Sequence, residues 1–213
     1  MSKILISGYY GFANAGDEAM LTAIIESLRQ VEKNVELTVL SGNPEDTAAK
    51  HQVCSVYRFN PLGIIRAMKD SELIISGGGS LLQDVTSKRS LLYYLSIIGL
   101  GKFFGKKVML FAQGIGPIRA KWARKLTSLV CNEADLITVR DSESAAELIE
   151  MGVKPEKITV TADSVLSLNP VTKECGQYLL QEAGVDLTKP VIGISVRPWS
   201  GDCLLYTSDA ADD

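Results

Sequence analysis

The chain has 213 residues, 46% of them hydrophobic and 22% charged, with a formal net charge of −3 and a mean hydropathy of +0.13. That is enough apolar material for a sizeable core and too ordinary a charge content for a disordered chain. The apolar run 91–100 is too short to span a bilayer, MSKILISGYY lacks the pattern of a secretory signal, and four cysteines without a CxxC pair beside a single histidine argue against a zinc site.

KILIS, 3–7, reads as a first strand and runs into GYYGFANAGDEA, 8–19. Gly11 and Gly16 there stand as in a phosphate-cradling G-x-x-x-x-G, but Asp17 and Glu18 occupy the places of the lysine and hydroxyl residue such a loop carries. The glycine spacing does not match G-x-G-x-x-G either, so the loop argues against both ATP hydrolysis and NAD chemistry. Met20, Leu21, Ile24, Ile25 and Leu28 then recur at i, i+3, i+4 and predict a helix packed on a sheet. Strands follow at 35–40 and 53–57, with His51 read as a surface residue ahead of the second. Pro61 opens a short helix to Met68.

ELIIS, 72–76, is a strand ending in Gly77, Gly78 and Gly79 and followed by SLLQD. A helix is expected from about 87 to 104, a strand at 108–111 closing in AQGIGP, and a helix at 122–131. A strand around Ile137 leads to VRD, a helix covers 142–151, and a strand at 158–161 leads to ADS. Short, apolar, β-branched strands alternating with helices predict a Rossmann-like, doubly wound parallel sheet. Residues 1–169 form this domain. A helix around Tyr178–180 and a strand at 191–199 begin a second α/β domain over 170–202. The tail 203–213 breaks with both patterns and resembles translated sequencing-adapter read-through, so the natural protein is expected to continue past Asp202.

Ligands of open parallel sheets collect at the carboxyl ends of the strands, and every unusual stretch here follows a strand. Asp17 there reads either as a base or hydrogen-bond acceptor for a sugar hydroxyl, or as a helix cap. Gly77–79 either turn their amides to an anion or make a tight turn, with Gln83 and Asp84 available to hydroxyls. Gln113, polar at the end of an apolar strand, favours ligand contact. Arg140 offers a planar fork to a carboxylate or phosphate, or pairs internally with Asp141 or another acid.

No acidic residue lies between Asp84 and Glu133, while Lys88, Arg89, Lys102, Lys106, Lys107, Arg119, Lys121, Arg124 and Lys125 do. With Tyr93, Tyr94, Phe103, Phe104 and Trp122 among them, this stretch reads either as a face for an anionic membrane or polyphosphate, or as a solvated face with acid partners elsewhere in the chain.

ISGYYGFANAGDEAML, ISGGGSLLQD, AQGIGP, TVRDSES and ADSVL together resemble the polysaccharide pyruvyl transferase family, in particular its CsaB type. The resemblance covers 2 to about 202. It implies the first half of a two-domain, GT-B-like enzyme that moves the enolpyruvyl unit of phosphoenolpyruvate onto a sugar as a ketal. For the CsaB type it implies a lipid-linked intermediate of a secondary cell-wall polymer in Gram-positive bacteria as acceptor and S-layer anchoring as the outcome; the scattered, unpaired cysteines predict a reducing cytoplasm, and the basic aromatic stretch a peripheral place at its membrane face. Arg140 matches the family's arginine for phosphoenolpyruvate. Asp17 is the catalytic candidate, and Gly11, Asn14, Gly16, Glu18, Gly78, Gly79, Gln83, Asp84 and Gln113 are the expected acceptor contacts. No metal, cofactor, nucleotide or nucleic acid is implied, and this stretch by itself is expected to be inactive. A nucleotide-sugar glycosyltransferase of GT-B type and a non-enzymatic glycolipid-binding module are the alternatives.

Overall fold

The computed structural model describes residues 2–85 and 87–194. Seven parallel strands, β1 (Lys3–Tyr10), β2 (Glu36–Ser41), β3 (Cys54–Tyr57), β4 (Leu73–Gly77), β5 (Lys107–Gln113), β6 (Leu136–Val139) and β7 (Ile158–Val160), form one sheet in the order β3-β2-β1-β4-β5-β6-β7. The connecting helices are α1 (Ala15–Val31), α2 (Pro44–His51), α3 (Pro61–Asp70), α4 (Lys88–Phe103), α5 (Lys121–Glu133) and α6 (Ser142–Glu150). The Rossmann-like reading holds. Strand order reverses between β1 and β4, which makes the gap beyond their carboxyl ends the natural ligand crevice.

The helices bury two unequal faces. Leu5, Ile74, Val108, Leu110, Ile137 and Val139 turn to one side, where α3, α4, α5 and α6 cover them with Met68, Leu95, Ile98, Cys131 and Leu148. Ile4, Ile6, Leu37, Val39 and Ile75 turn to the other and meet Leu21, Ile24 and Ile25 of α1. Alternation along each strand thus feeds both layers. Truncating one such residue, Leu110 for example, removes about 2–5 kcal/mol.

Caps fix where most helices start. Asn14, Asn43, Asn60, Ser87 and Asp141 each accept a first-turn amide of α1, α2, α3, α4 and α6, and Pro44 and Pro61 sit at the first helical position. α5 begins at Ala120, which has no capping side chain. Asp84 supplies that cap from another loop, with Oδ1 and Oδ2 accepting Arg119 N and Ala120 N at 2.9 Å each.

α4 carries three aromatic residues of the basic stretch, Tyr93, Tyr94 and Phe103. It is the cover of the sheet centre: Leu91, Tyr94, Leu95, Ile97, Ile98 and Gly101 are buried, and Phe103 is the ring left in solvent. Part of the basic stretch also finds its acids. Lys102 and Lys107 reach Asp135 at 2.7 and 3.4 Å, and Arg124 reaches Glu147 and Glu150 at 2.6 and 3.1 Å. Burial alone would raise the Asp135 carboxyl, but the bonds from Lys102, Val108 N and Lys107 outweigh it and hold the pKa at about 2.

The chain divides after Leu168 into two compact units. In the second, Thr172 caps α7 (Lys173–Glu182), the helix expected around Tyr178. Of the strand expected at 191–199, residues 191–194 join no sheet, and the remainder and the tail 203–213 lie outside the described residues.

Candidate functional site

The crevice is built by two interlocked loops. β1 runs on past the expected end at Ser7 to Tyr10, with a register shift between those residues, so its ring enters the core and its hydroxyl donates to Gly77 O at 2.6 Å. Burial pushes that phenol far above its usual range, keeping it a neutral donor. Gly8 leaves room for the Tyr10 ring, since a Cβ there would lie 2.3 Å from it. Gly11, at φ +78°, approaches the end of β2, where a Cβ would meet Ser41 Oγ and Asn43 N. Gly11 therefore lets the loop pack against the end of β2.

Asn14 is the cap of α1, accepting Gly16 N and Asp17 N at 3.1 and 3.4 Å. This removes capping from Asp17, which sits in the first turn with Oδ1 3.1 Å from where a Cβ of Gly79 would stand. Glu18 is engaged within the loop. Its Oε1 takes Gly11 N at 2.8 Å and its Oε2 lies 3.9 Å from His51 Nε2. His51 is accordingly no surface residue: its side chain is 10% exposed beside this loop, and burial, opposed by Glu18, lowers its pKa.

The glycines after β4 do not present amides to an anion. Gly78 N donates to Phe111 O at 3.1 Å and Gly79 N to Met20 Sδ at 3.0 Å, both glycines having positive φ. Ser80, next in line, is exposed, and its Oγ accepts Arg140 Nη2 at 3.3 Å. Arg140 Nε also reaches Asp141 Oδ2 at 3.4 Å and Nη1 reaches Asp163 Oδ2 at 3.3 Å. Each acid is fixed by its other oxygen, Asp141 Oδ1 to Ser144 N and Asp163 Oδ1 to Val165 N. The guanidinium rests on Gly114, where a Cβ would come within 2.7 Å of Cζ. It is about one third exposed, 34%. Gly79 and Ser80 therefore carry Asp17 against one residue and Arg140 on the next.

Three expected acceptor contacts have other surroundings. Asp84 is the cap of α5 described above, and those amides hold its carboxyl below the usual range. Gln113 is 0% exposed because Ala112, at φ +47°, kinks β5 and turns the amide inward. Its Nε2 donates to Ser76 O and Oγ at 3.2 and 3.0 Å. Gln83 packs against Gly116 beside the bridge between Leu82 and Ile115. A groove of about 420 Å³ runs elsewhere, along β3 and α3. It follows the flank of an edge strand, so the convergence of polar strand ends, not cavity size, locates the site.

One residue here went unnoticed in the sequence. Arg58, just after β3, is 5% exposed and ringed by Tyr9, Phe12, Phe59, Tyr93 and Tyr94, whose centroids lie 4.4 to 5.8 Å from its Cζ. The aromatic neighbours in YRF are a local hint, but Tyr93 and Tyr94 come from far along the chain.

A family model for polysaccharide pyruvyl transferase matches residues 14–198. No curated protein matches the sequence significantly. Among solved structures, the chain is similar to HepE of Anabaena in complex with UDP and glucose, at 14% identity and TM-score 0.57, over 86% of this chain and 50% of that one. It is also similar to a glycosyltransferase of Rickettsia africae, at 12% identity and TM-score 0.53, over 89% of this chain and 51% of that one. At such identities the likeness shows the fold, and the chain spans about half the length of either structure.

Proposed function

The chain belongs to the polysaccharide pyruvyl transferase family, and from that premise we propose that it forms one wall of an enzyme transferring the enolpyruvyl unit of phosphoenolpyruvate to a saccharide as a pyruvate ketal. The reaction protonates the methylene carbon C3, passes through an oxocarbenium-like centre at C2, joins two sugar hydroxyls to C2 and releases phosphate. Of the two hydroxyl protons, one ends on C3 and the other on phosphate, so the balance needs no cofactor.

Arg140 takes the anionic groups of the donor. Its contacts of 3.3 to 3.4 Å are long and partly solvated, so exchanging one acid for an incoming carboxylate or phosphate sacrifices no more than about 1 kcal/mol. The planar fork then pairs bidentately with the newcomer. Asp17 takes the acceptor: beside a carboxylate another anion is unwelcome, whereas a hydroxyl can donate to it and be deprotonated. The observation that carries this reading is the Gly79–Ser80 step, which has the Asp17 carboxylate against one residue and the Arg140 guanidinium on the next.

The finer assignment is a lipid-linked cell-wall acceptor, pyruvylated at the cytoplasmic face of the membrane as in the CsaB type. Its support is the basic rim. Lys88, Arg89 and Lys121 stand exposed in the first turns of α4 and α5, turns without an acid, and Arg119 is exposed beside them. Cations there oppose the helix dipole, and a diphosphate or anionic lipid relieves that repulsion.

The test offers phosphoenolpyruvate and UDP-sugars in parallel to the enzyme containing this chain, with a saccharide acceptor. Acceptor-dependent phosphate release is expected. UDP release without phosphate release would instead make it a glycosyltransferase, and acceptor binding with neither reaction would leave a glycolipid-binding module.

A further inference from the structure

We propose that Arg58, Tyr93 and Ser7 form a second oxyanion site at this rim, roofed by Tyr9 and Phe12, that takes a phosphate-type group. The proposal stands on the cage itself and not on the transferase reading.

A guanidinium has two faces that suit aromatic rings and an in-plane edge of five N–H donors that rings do not satisfy. Around Arg58 the rings are abundant, Tyr93 nearest at 4.4 Å. The edge is poorly satisfied: Nη2 donates to Tyr94 OH at 3.4 Å, while Nε and Nη1 are buried without a hydrogen-bond partner. No carboxylate forms an ion pair with it among the described residues. Buried charge of this kind is kept only against several kcal/mol of desolvation, and cation–π contact returns about 2 kcal/mol for a favourable ring.

The neighbours sharpen the pattern. Ser7 Oγ and Tyr93 OH are buried too without a well-formed hydrogen bond, and while burial raises the Tyr93 phenol, Arg58 and Ser7 lie close enough to oppose that rise. All the unpaired atoms of this cluster are able to donate. Two hydroxyls and a fixed cation can all turn N–H or O–H donors toward an incoming oxyanion. The location agrees, since Ser7 is on β1 beside the crevice and Arg58 N bonds the end of β2 at Ser41 O.

The roof is suited to opening. Tyr9 and Phe12 stack at 4.4 Å, each 41% exposed, and Phe12 is flanked by left-handed residues, Gly11 at φ +78° and Ala13 at φ +57°. A left-handed alanine is strained, which favours release of the loop.

Free phosphate and a diphosphate headgroup share the chemistry named here. The experiment is thermal melting and calorimetric titration of the chain, in an Arg140→Ala background, with inorganic phosphate in one arm and geranyl diphosphate in the other. Binding in the first arm identifies free phosphate as the source, and binding confined to the second identifies a lipid-carrier headgroup. Arg58→Met should weaken that binding at least about tenfold while leaving the ligand-free melting temperature unchanged or higher, because an unpaired buried cation is replaced by an apolar chain of similar length. Should Arg58→Met fail to fold, the Ser7→Ala/Tyr93→Phe pair decides by the same loss of binding. Undiminished binding in these variants, no binding of either probe to the parent, or a phosphate-grown crystal with only a water among the three residues overturns the site.

Discussion

Replacing Gly114 by alanine moves Arg140 without altering its chemistry. A Cβ there would stand 2.7 Å from Arg140 Cζ and Nε and 2.8 Å from Nη2. Non-bonded contacts relax at about 3.5–4.0 Å, so the guanidinium has to retreat by about 1 Å. Its bonds to Ser80, Asp141 and Asp163 are already 3.3 to 3.4 Å long and cannot all survive that shift. Gly114 is not among the glycines with positive φ, so the backbone accepts alanine without strain. What gives way is the end of a flexible side chain in partly exposed ion pairs, a loss of about 1 kcal/mol, or about 2–4 °C in a chain of this size. A misplacement of 1 Å at a reacting group lowers rate by about 10²-fold. Phosphate release by the enzyme containing this chain should therefore show kcat/KM for phosphoenolpyruvate down about 10²-fold, acceptor KM unchanged and melting nearly so. Parental use of phosphoenolpyruvate would refute the role of Arg140. A melting loss well beyond about 4 °C per kcal/mol assigned above would show that Gly114 meets something stiffer than a side-chain tip.

Asp17→Asn should lower kcat by about 10²-fold with little change in melting, because Asn14 is the cap; Asn14→Ala should do the converse on stability, removing about 1 kcal/mol. Asp135 is depressed to about 2 in the fold. Its contribution is therefore complete above the unfolded pKa of about 4 and lost as pH falls from there toward 2; Asp135→Asn should flatten acid unfolding in that window, and an unchanged profile would discount the pairing. Reversing Lys88, Arg89, Arg119 and Lys121 to glutamate should abolish salt-sensitive binding to anionic liposomes, and equal binding of the parent to neutral and anionic liposomes would leave the basic rim merely solvated.

The strands and most helices were legible because buried strands are unbroken apolar runs and the helices facing them carry a stripe. α2 was not, since NPEDTAAKH buries Thr47 alone and has no stripe to detect. The rim was legible as a place, from five polar stretches each following a strand, and Arg140 beside Asp141 was readable as fork or ion pair. What the residues do there depended on distant partners. Nothing local in SGGGS shows that Phe111 and Met20 receive its amides, or that Asp84 caps a helix 36 residues on. Arg58 escaped for the same reason. Its neighbours in YRF suggest surface aromatics, and only tertiary packing brings Tyr93 and Tyr94 around the cation.

The short turn Ser164–Ser167 packs against α1, and the residue that caps it, Asp163, holds Arg140. The same turn is the last structured segment before the chain passes from the first unit to the second at Leu168. Within the first unit this turn thus joins two parts of the crevice. On one side it lies against the helix that carries Asp17, and on the other its cap, Asp163, holds Arg140 at 3.3 Å. A displacement of this one turn within the first unit would therefore shift both side chains together.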